Sequence, residues 1–203
     1  MPESASGRNL PPAFSEALRS LRGATLRPEL VVTEIDSPAG LAPYSVALAG
    51  DVRPTQHGTD SLLGTGRFVL LYDPSEPDAW GAPFRIVSFA QAPLETDIGL
   101  DPFVADVAWS WLVDSLDARH AHYGAPSGTA TKSISTGYGE LADQIDGAQL
   151  ELRASWTPLD TELASHVEAW SDLLCMLAGL PPSSDAVPLL PNSRVASHRV
   201  ARG

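Results

Sequence analysis

The chain has 203 residues, and a hydrophobic fraction of 43% against 19% charged residues supplies enough apolar material for a core, which excludes a wholly disordered chain. Its formal net charge of −12 disfavours nonspecific binding to nucleic acid or to an anionic membrane surface. The single cysteine excludes an internal disulfide, and no apolar stretch approaches the ~20 residues that a membrane span needs.

The first half of the chain predicts one helix followed by strands. Apolar residues recur at helical spacing from Pro12 to Arg22, and proline is favoured where a helix begins. Runs of β-branched and aromatic residues predict four strands, at 30–35, 44–52, 67–72 and 84–89. The turn-rich segment 73–78 joins the last two strands into a hairpin, and we expect Trp80 to anchor this long connection on the sheet edge.

The second half predicts a helix, two strands and a last helix. Asp101 as N-cap and Pro102 in the first turn predict a helix that ends near His122. The apolar stripe of this helix comprises Val104, Ala108, Trp111, Leu112, Ser115 and Leu116. The later elements are expected at 128–139, 148–156 and 160–178. Asp160 or Thr161 is in position to cap the last of them.

This order of elements predicts the fold class. Helix, four strands, helix, two strands, helix is neither a regular βα alternation nor an all-β pattern, so we expect an α+β protein with a largely antiparallel sheet. The helices at 101–122 and 160–178 are expected on one face of it. The predicted core contains Leu150, Leu152, Trp156, Trp111, Trp170 and Leu174.

Composition also divides the chain into three parts. Residues 1–12 are polar and proline-rich and predict a flexible arm, and residues 13–180 predict a single domain. The proline-rich, basic tail 181–203 is expected to be disordered. No secretory signal is visible at the N-terminus and one cysteine suits a reducing compartment, so we expect a cytoplasmic protein without a membrane segment.

Five segments together resemble a known family. They are Leu21–Glu29, Leu41–Tyr44, Trp109–Leu112, Leu152–Pro158 and Leu173–Pro181. In this order they are similar to the actinobacterial family called "domain of unknown function 3000", over about Phe14 to Leu190. The resemblance implies no activity, and no catalytic residue is carried over from it.

Motifs that carry chemistry are weak in this sequence. The glycine-rich segment 64–67 lacks the lysine and the spacing of a phosphate-binding loop. His120 and His122 are expected at the exposed end of a helix, and Glu162 and His166 form an i,i+4 pair that predicts a solvated contact. Cys175 lies between apolar residues, which indicates an inert buried thiol. We therefore expect no metal, no cofactor and no catalytic residue, and the sequence disfavours an enzyme.

Two clusters are candidates for binding. Trp109 and Trp111 lie about 200° apart on one helix, so both cannot face one core. Trp109 either packs under the first helix or the tail, or it belongs to an interaction surface rimmed by acidic residues that steer a basic partner. These acidic residues are Asp106, Asp114 and Asp117. The arginines Arg19, Arg22 and Arg27 are a candidate anion or ligand site or, with Glu29, a structural ion-pair network.

These observations predict an acidic protein-binding or adaptor module. The order of elements, the size and the low pI are also similar to those of small acidic secretion chaperones, which is a likeness of fold class alone. The alternative is a small-ligand binder or an enzyme whose site is not recognisable, around the arginine cluster and the strand Arg153–Trp156. A homodimer is a further alternative, and nucleic acid is disfavoured as a partner.

Overall fold

A computed structural model describes residues 10–53, 63–141 and 147–182. Within them the elements are α1 (Pro12–Arg22), β1 (Leu30–Ile35), β2 (Tyr44–Val52), β3 (Gly64–Tyr72), β4 (Phe84–Leu94), α2 (Thr96–Leu100), α3 (Val104–Ala118), β5 (Tyr123–Ser135), β6 (Gly147–Pro158) and α4 (Ala164–Leu177). A short 3₁₀ turn, Gly139–Leu141, precedes β6. The predicted order of helices and strands is confirmed, with the short α2 added in front of α3.

The strands form one six-stranded sheet with the order β1-β2-β3-β4-β6-β5. Each neighbouring pair is antiparallel, which confirms the predicted α+β class with an antiparallel sheet. Strands β1 to β4 form a meander, in which each strand pairs with the next one along the chain. The chain then passes through α2 and α3 to the far edge, and β6 returns between β5 and β4.

The helices pack on one face of this sheet, as predicted. Helix α4 crosses β2, β3 and β4, while α3 lies over β5 and β6. Two glycines that face each other in the register of β2 and β3 permit this packing. A Cβ atom on Gly50 would lie 2.7 Å from the Trp170 ring, and one on Gly66 would lie 2.6 Å from Leu174. Trp170 and Leu174 of α4 therefore fit into a groove over the two glycines, which any larger residue at position 50 or 66 would close.

The predicted core is confirmed except at one residue. Leu150, Leu152, Trp156, Trp170 and Leu174 are at most 1% exposed. Trp111 is only half-buried, so its placement in the core was wrong. Its neighbour Leu112 is fully buried, as are Ala108 and Leu116. Because successive residues of a helix are about 100° apart, Trp111 is turned from the sheet towards α4.

The ends of the two long helices differ from the prediction. Asp101 does not cap α3, since its Oδ1 accepts a hydrogen bond from the Phe103 N–H at 2.8 Å and closes a turn before the helix begins. Helix α3 ends at Ala118 rather than near His122. Likewise Asp160 Oδ1 accepts from the Glu162 N–H, and α4 begins later, at Ala164.

Some predictions fall outside the described residues. Residues 1–9 of the predicted arm and residues 183–203 of the predicted tail are among them, as are residues 54–62 between β2 and β3. In the part of the chain that the structure describes, no helix is long and apolar enough to cross a lipid bilayer.

Candidate functional site

One face of the sheet carries no helix among the described elements. Strand alternation places on this face the residues that point away from α4. We call the central part of it the open face, defined by Arg67 of β3, by Arg85, Val87 and Phe89 of β4, and by Arg153 and Ser155 of β6. Val87 is 40% exposed in the middle of this surface.

A loop closes one end of the open face. Trp80, from the connection between β3 and β4, packs on a small cluster formed by Ala47, Val69 and Leu71. The expected anchoring by Trp80 therefore takes place, but on the open face rather than at the sheet edge. Beyond this loop the surface is a shallow depression of about 570 Å³, lined by Arg67, Val87, Phe89 and Arg153 among others.

Two arginines flank an aromatic ring in one cross-strand row. Arg67 and Arg153 lie on either side of Phe89 in the register of β3, β4 and β6. The Arg153 guanidinium carbon lies 5.7 Å from the centre of the Phe89 ring, and its Nε donates to Glu151 at 2.6 Å. Arg67 is exposed and forms no ion pair with a described carboxylate. The row thus presents an apolar ring between two cations.

Arg85 is held on the same face by neutral groups. Its Nη1 donates to the Thr157 hydroxyl at 2.8 Å and to the carbonyl of Ala125 at 3.2 Å. Its Nη2 donates to Ser155 Oγ at 2.6 Å and to Ser127 Oγ at 3.3 Å. No described carboxylate pairs with it, and burial lowers the pKa of Arg85. A partly desolvated positive charge therefore sits in a fixed orientation without a counter-ion.

Most other described arginines differ in this respect, although Arg19 on α1 also forms no ion pair with a described carboxylate. Arg22, Arg27, Arg53 and Arg119 each form an ion pair with at least one carboxylate. In a chain with 25 acidic and 13 basic residues such pairing is the expected state. The unpaired Arg67 and Arg85 therefore mark the open face as a positive region of an acidic protein.

The sequence-predicted surface around Trp109 is laid out differently from the expectation. The Trp109 ring packs on β5, where a Cβ on Gly128 would lie 2.8 Å from it. It is half-buried there. Asp106 is exposed, Asp114 lies beside Trp111, and Asp117 accepts a hydrogen bond from the Tyr123 hydroxyl at 2.9 Å. An interface at this surface stays a prediction.

The three arginines near the first helix do not form one cluster. Arg19 and Arg22 line a shallow depression on α1, and Arg22 pairs with Glu34 at 3.1 Å. Arg27 is 8% exposed, pairs with Glu29 at 2.9 Å and donates to the carbonyl of Pro181. The hydrogen bond from Arg27 lowers the pKa of Glu29. Arg27 thus ties the segment before β1 to the end of α4.

The expected contact between Glu162 and His166 is wrong. His166 is fully buried, and its Nδ1 accepts a hydrogen bond from Trp156 Nε1 at 3.0 Å. Burial lowers the pKa of His166 to about 4. His122 instead lies at the surface, with Nδ1 2.8 Å from Asp160. Among the described residues no three histidine, cysteine or acidic side chains converge as a metal site would need.

The strand Arg153–Trp156 was named from the sequence as part of a possible site, but Arg67 and Arg85 were missed, because their defining property is that no carboxylate pairs with them. Alternation along β3, β4 and β6 places Arg67, Arg85 and Arg153 opposite the apolar side chains, and this signal is present in the sequence. Whether a carboxylate reaches each arginine depends on the register between strands far apart in the chain, which the sequence pattern does not specify.

Comparison with known proteins gives a family but no characterised relative. No curated protein and no solved structure matches this chain. A family profile matches residues 10–187, which include each element of the open face and the helical layer behind it. The chain therefore belongs to the family described as Protein of unknown function (DUF3000).

Proposed function

We propose that this protein is a protein-binding module whose open face docks an acidic, extended segment of a partner protein. The observation that carries the proposal is that Arg67 and Arg85 have no described carboxylate partner in a chain rich in acids. A carboxylate arriving at Arg85 meets a guanidinium already oriented by Ser127 and Ser155, so little side-chain entropy is lost on binding.

The spacing of the two cations sets the shape of the partner. Arg67 lies opposite Phe89, and Arg85 lies four residues before Phe89 on β4. A strand rises ~3.3 Å per residue, so the two positions are about 13 Å apart along the strand direction. An extended segment with acidic residues about four positions apart reaches both guanidiniums. Its apolar side chains then contact Val87 and Phe89 between them, as in the centre of a protein interface.

Nucleic acid fits this surface less well than a protein. Proteins that bind a phosphate backbone commonly neutralise about 6–10 phosphates. The open face offers Arg67, Arg85 and Arg153, and Arg153 already pairs with Glu151. The net charge of −12 adds long-range repulsion, which acts on a dense polyanion more strongly than on a short segment with two carboxylates.

A second copy of the chain is also a weaker candidate. A two-fold pairing of open faces sets the unpaired arginines of one copy against those of the other, which is repulsive. Docking of an acidic surface elsewhere on the chain is heterologous and leads to rings or filaments. We therefore infer a different protein as the partner. We place this role in the cytoplasm of actinobacterial cells, where a buried free thiol such as Cys175 stays reduced.

The proposal is tested by affinity capture from native cell lysate with the full chain as bait. The double variant Arg67→Ala/Arg85→Ala is expected to lose the partner that the wild-type chain retains. Arg19→Ala/Arg22→Ala removes the same charge from α1 and is expected to retain it. Equal retention by both variants, or recovery of nucleic acid without protein, contradicts the proposal.

The surface around Trp109 is the competing docking site. Trp109→Ala is expected to leave capture unchanged, because Trp109 lies in the helical layer and not on the open face. If this variant alone loses the partner while its thermal stability is normal, the interface lies on α3 and not on the open face.

A further inference from the structure

A cleft lies between α3 and α4, in the helical layer. It has a volume of about 300 Å³ and is lined by Trp111, Asp114, Ser115 and Ala118 of α3 and by Asp172 and Met176 of α4, with Pro182 beyond the helix. On α3 the positions 111, 115 and 118 fall on one side of the helix, and on α4 the positions 172 and 176 do so. The cleft is thus formed between the facing sides of α3 and α4.

The buried carboxylate of the cleft is half-satisfied. The side chain of Asp172 is 8% exposed, and its Oδ2 accepts a hydrogen bond from Arg119 Nε at 2.8 Å. Its other oxygen, Oδ1, is buried and accepts no hydrogen bond from a described residue. Buried carboxylate oxygens are normally hydrogen-bonded, so this atom has capacity for one further donor.

The charges around Asp172 favour a cation as that donor. Arg119 also binds Glu168 at 3.3 Å, so one guanidinium is shared by two carboxylates. The next guanidinium, Arg27, is bonded to Glu29. Two cations against three carboxylates leave one excess negative charge, and the exposed Asp114 adds a second at the rim of the cleft.

The walls favour an alkyl chain behind that cation. Trp111 is half-buried and lines the cleft with its aromatic ring, while Ala118, Met176 and Pro182 supply apolar surface. Aromatic faces attract ammonium groups, and a thioether adapts its shape to a flexible chain. We propose that the cleft binds an alkylammonium group, either a free aliphatic amine or a lysine side chain, whose ammonium pairs with the carboxylate of Asp172 while its carbon chain lies along Trp111 and Met176.

This site is independent of the open face, since the sheet separates the two. A neutral alcohol of the same length would fill the cleft but leave its negative charge uncompensated. A carboxylate would meet Asp114 and Asp172 as like charges. The proposal therefore predicts a strict preference for cationic ligands.

The test is a titration of the full chain with 1,5-diaminopentane, followed through the NMR signals of the five tryptophan indole N–H groups. The Trp111 signal, assigned with Trp111→Phe, is expected to shift saturably with a Kd of about 1 mM or tighter, whereas the buried Trp156 signal stays in place. Titration with 1-pentanol is the control and is expected to give no saturable shift. Equal binding of the alcohol, or no saturable shift with the diamine, overturns the proposal.

Variants assign the shift to the cleft. Asp172→Asn is expected to weaken binding at least about tenfold, since it removes a charge-assisted hydrogen bond. Asp106→Asn removes the same charge from an exposed position on α3 and is expected to change nothing. Unchanged affinity in Asp172→Asn refutes the assignment. If that variant does not fold, Asp114→Asn replaces it, with an expected loss of about threefold, and unchanged binding refutes the proposal there as well.

The same titration separates the two sources of the amine. Nα-acetyl-lysine N-methylamide presents the side chain as a protein would. Binding of this probe at least as tightly as the diamine identifies a lysine of a partner as the ligand. Binding of the diamine alone identifies a free aliphatic amine.

Discussion

Acidification is expected to lower the free energy of unfolding of this protein, because His166 is buried in its neutral form. The imidazole is fully buried, and because its Nδ1 accepts from Trp156, the neutral ring carries its proton on Nε2. Burial lowers the pKa of His166 from its usual 6.5 to about 4, while the charge of Asp160 raises it and His122 lowers it, both by less than burial does. The unfolded chain therefore binds a proton between pH 6.5 and 4 that the folded chain does not.

The sign and the size follow from this difference. Stability is fully present above pH 6.5 and falls as the pH is lowered through the window towards 4, because protons favour the unfolded chain. At one pKa unit per ~1.36 kcal/mol, the full loss is about 3 kcal/mol, of which roughly 2 kcal/mol is lost between pH 7 and 5. A 203-residue protein with a typical stability of ~5–15 kcal/mol shows such a change clearly.

The assay is urea unfolding at pH 7 and pH 5, for the wild-type chain and for His166→Asn. The asparagine places an amide oxygen near the position of Nδ1, so it still accepts from Trp156 but does not titrate in this range. We expect His166→Asn to be less stable at both pH values, with about 2 kcal/mol less dependence on pH than the wild type. An equal pH dependence in the two proteins would refute the argument, because other groups would then account for it.

Three further predictions concern packing and pairing. Trp109→Ala is expected to lower the free energy of urea unfolding by roughly 2 kcal/mol. This is less than the ~3–5 kcal/mol for a fully buried tryptophan, because the Trp109 ring is half-buried. An unchanged free energy would show that the ring does not pack against the domain. Cys175 is buried and burial raises the pKa of its thiol to about 12, so a thiol reagent at pH 8 is expected to label it only after unfolding. Glu29→Gln is expected to cost about 1–3 kcal/mol because Arg27 is 8% exposed, whereas Glu34→Gln at the surface should cost under ~0.5 kcal/mol, and equal costs would contradict the difference.

Much of the fold was predictable from local signals. Helix α1 and strands β1 and β2 have the predicted bounds, because prolines and glycines border short segments of clear periodicity. Strand β5 begins earlier than predicted. The residues Gly124, Ala125 and Pro126 look like a break in the sequence, but the sheet accommodates them in a bulge where Ala125 has a φ of 48°.

The errors arose where distant parts of the chain decide the outcome. His166 looks like a surface residue on its helix, and only the position of Trp156 on β6 explains its burial. Similarly, the polar side of β4 predicts that Arg85 faces away from the core. That serines and a threonine surround it, rather than carboxylates, depends on which residues of β5 and β6 lie beside it.

Site-specific photocrosslinking in native cell lysate shows whether a partner protein docks on the open face. A photoreactive residue replaces Val87 in the middle of the open face, or Ile98, which is similarly exposed but lies in the helical layer on α2. We expect a covalent adduct with one protein from position 87 and not from position 98, and we expect the Arg67→Ala/Arg85→Ala background to abolish it. An adduct from position 98 alone, or an adduct at position 87 that persists without both arginines, would contradict the proposed docking.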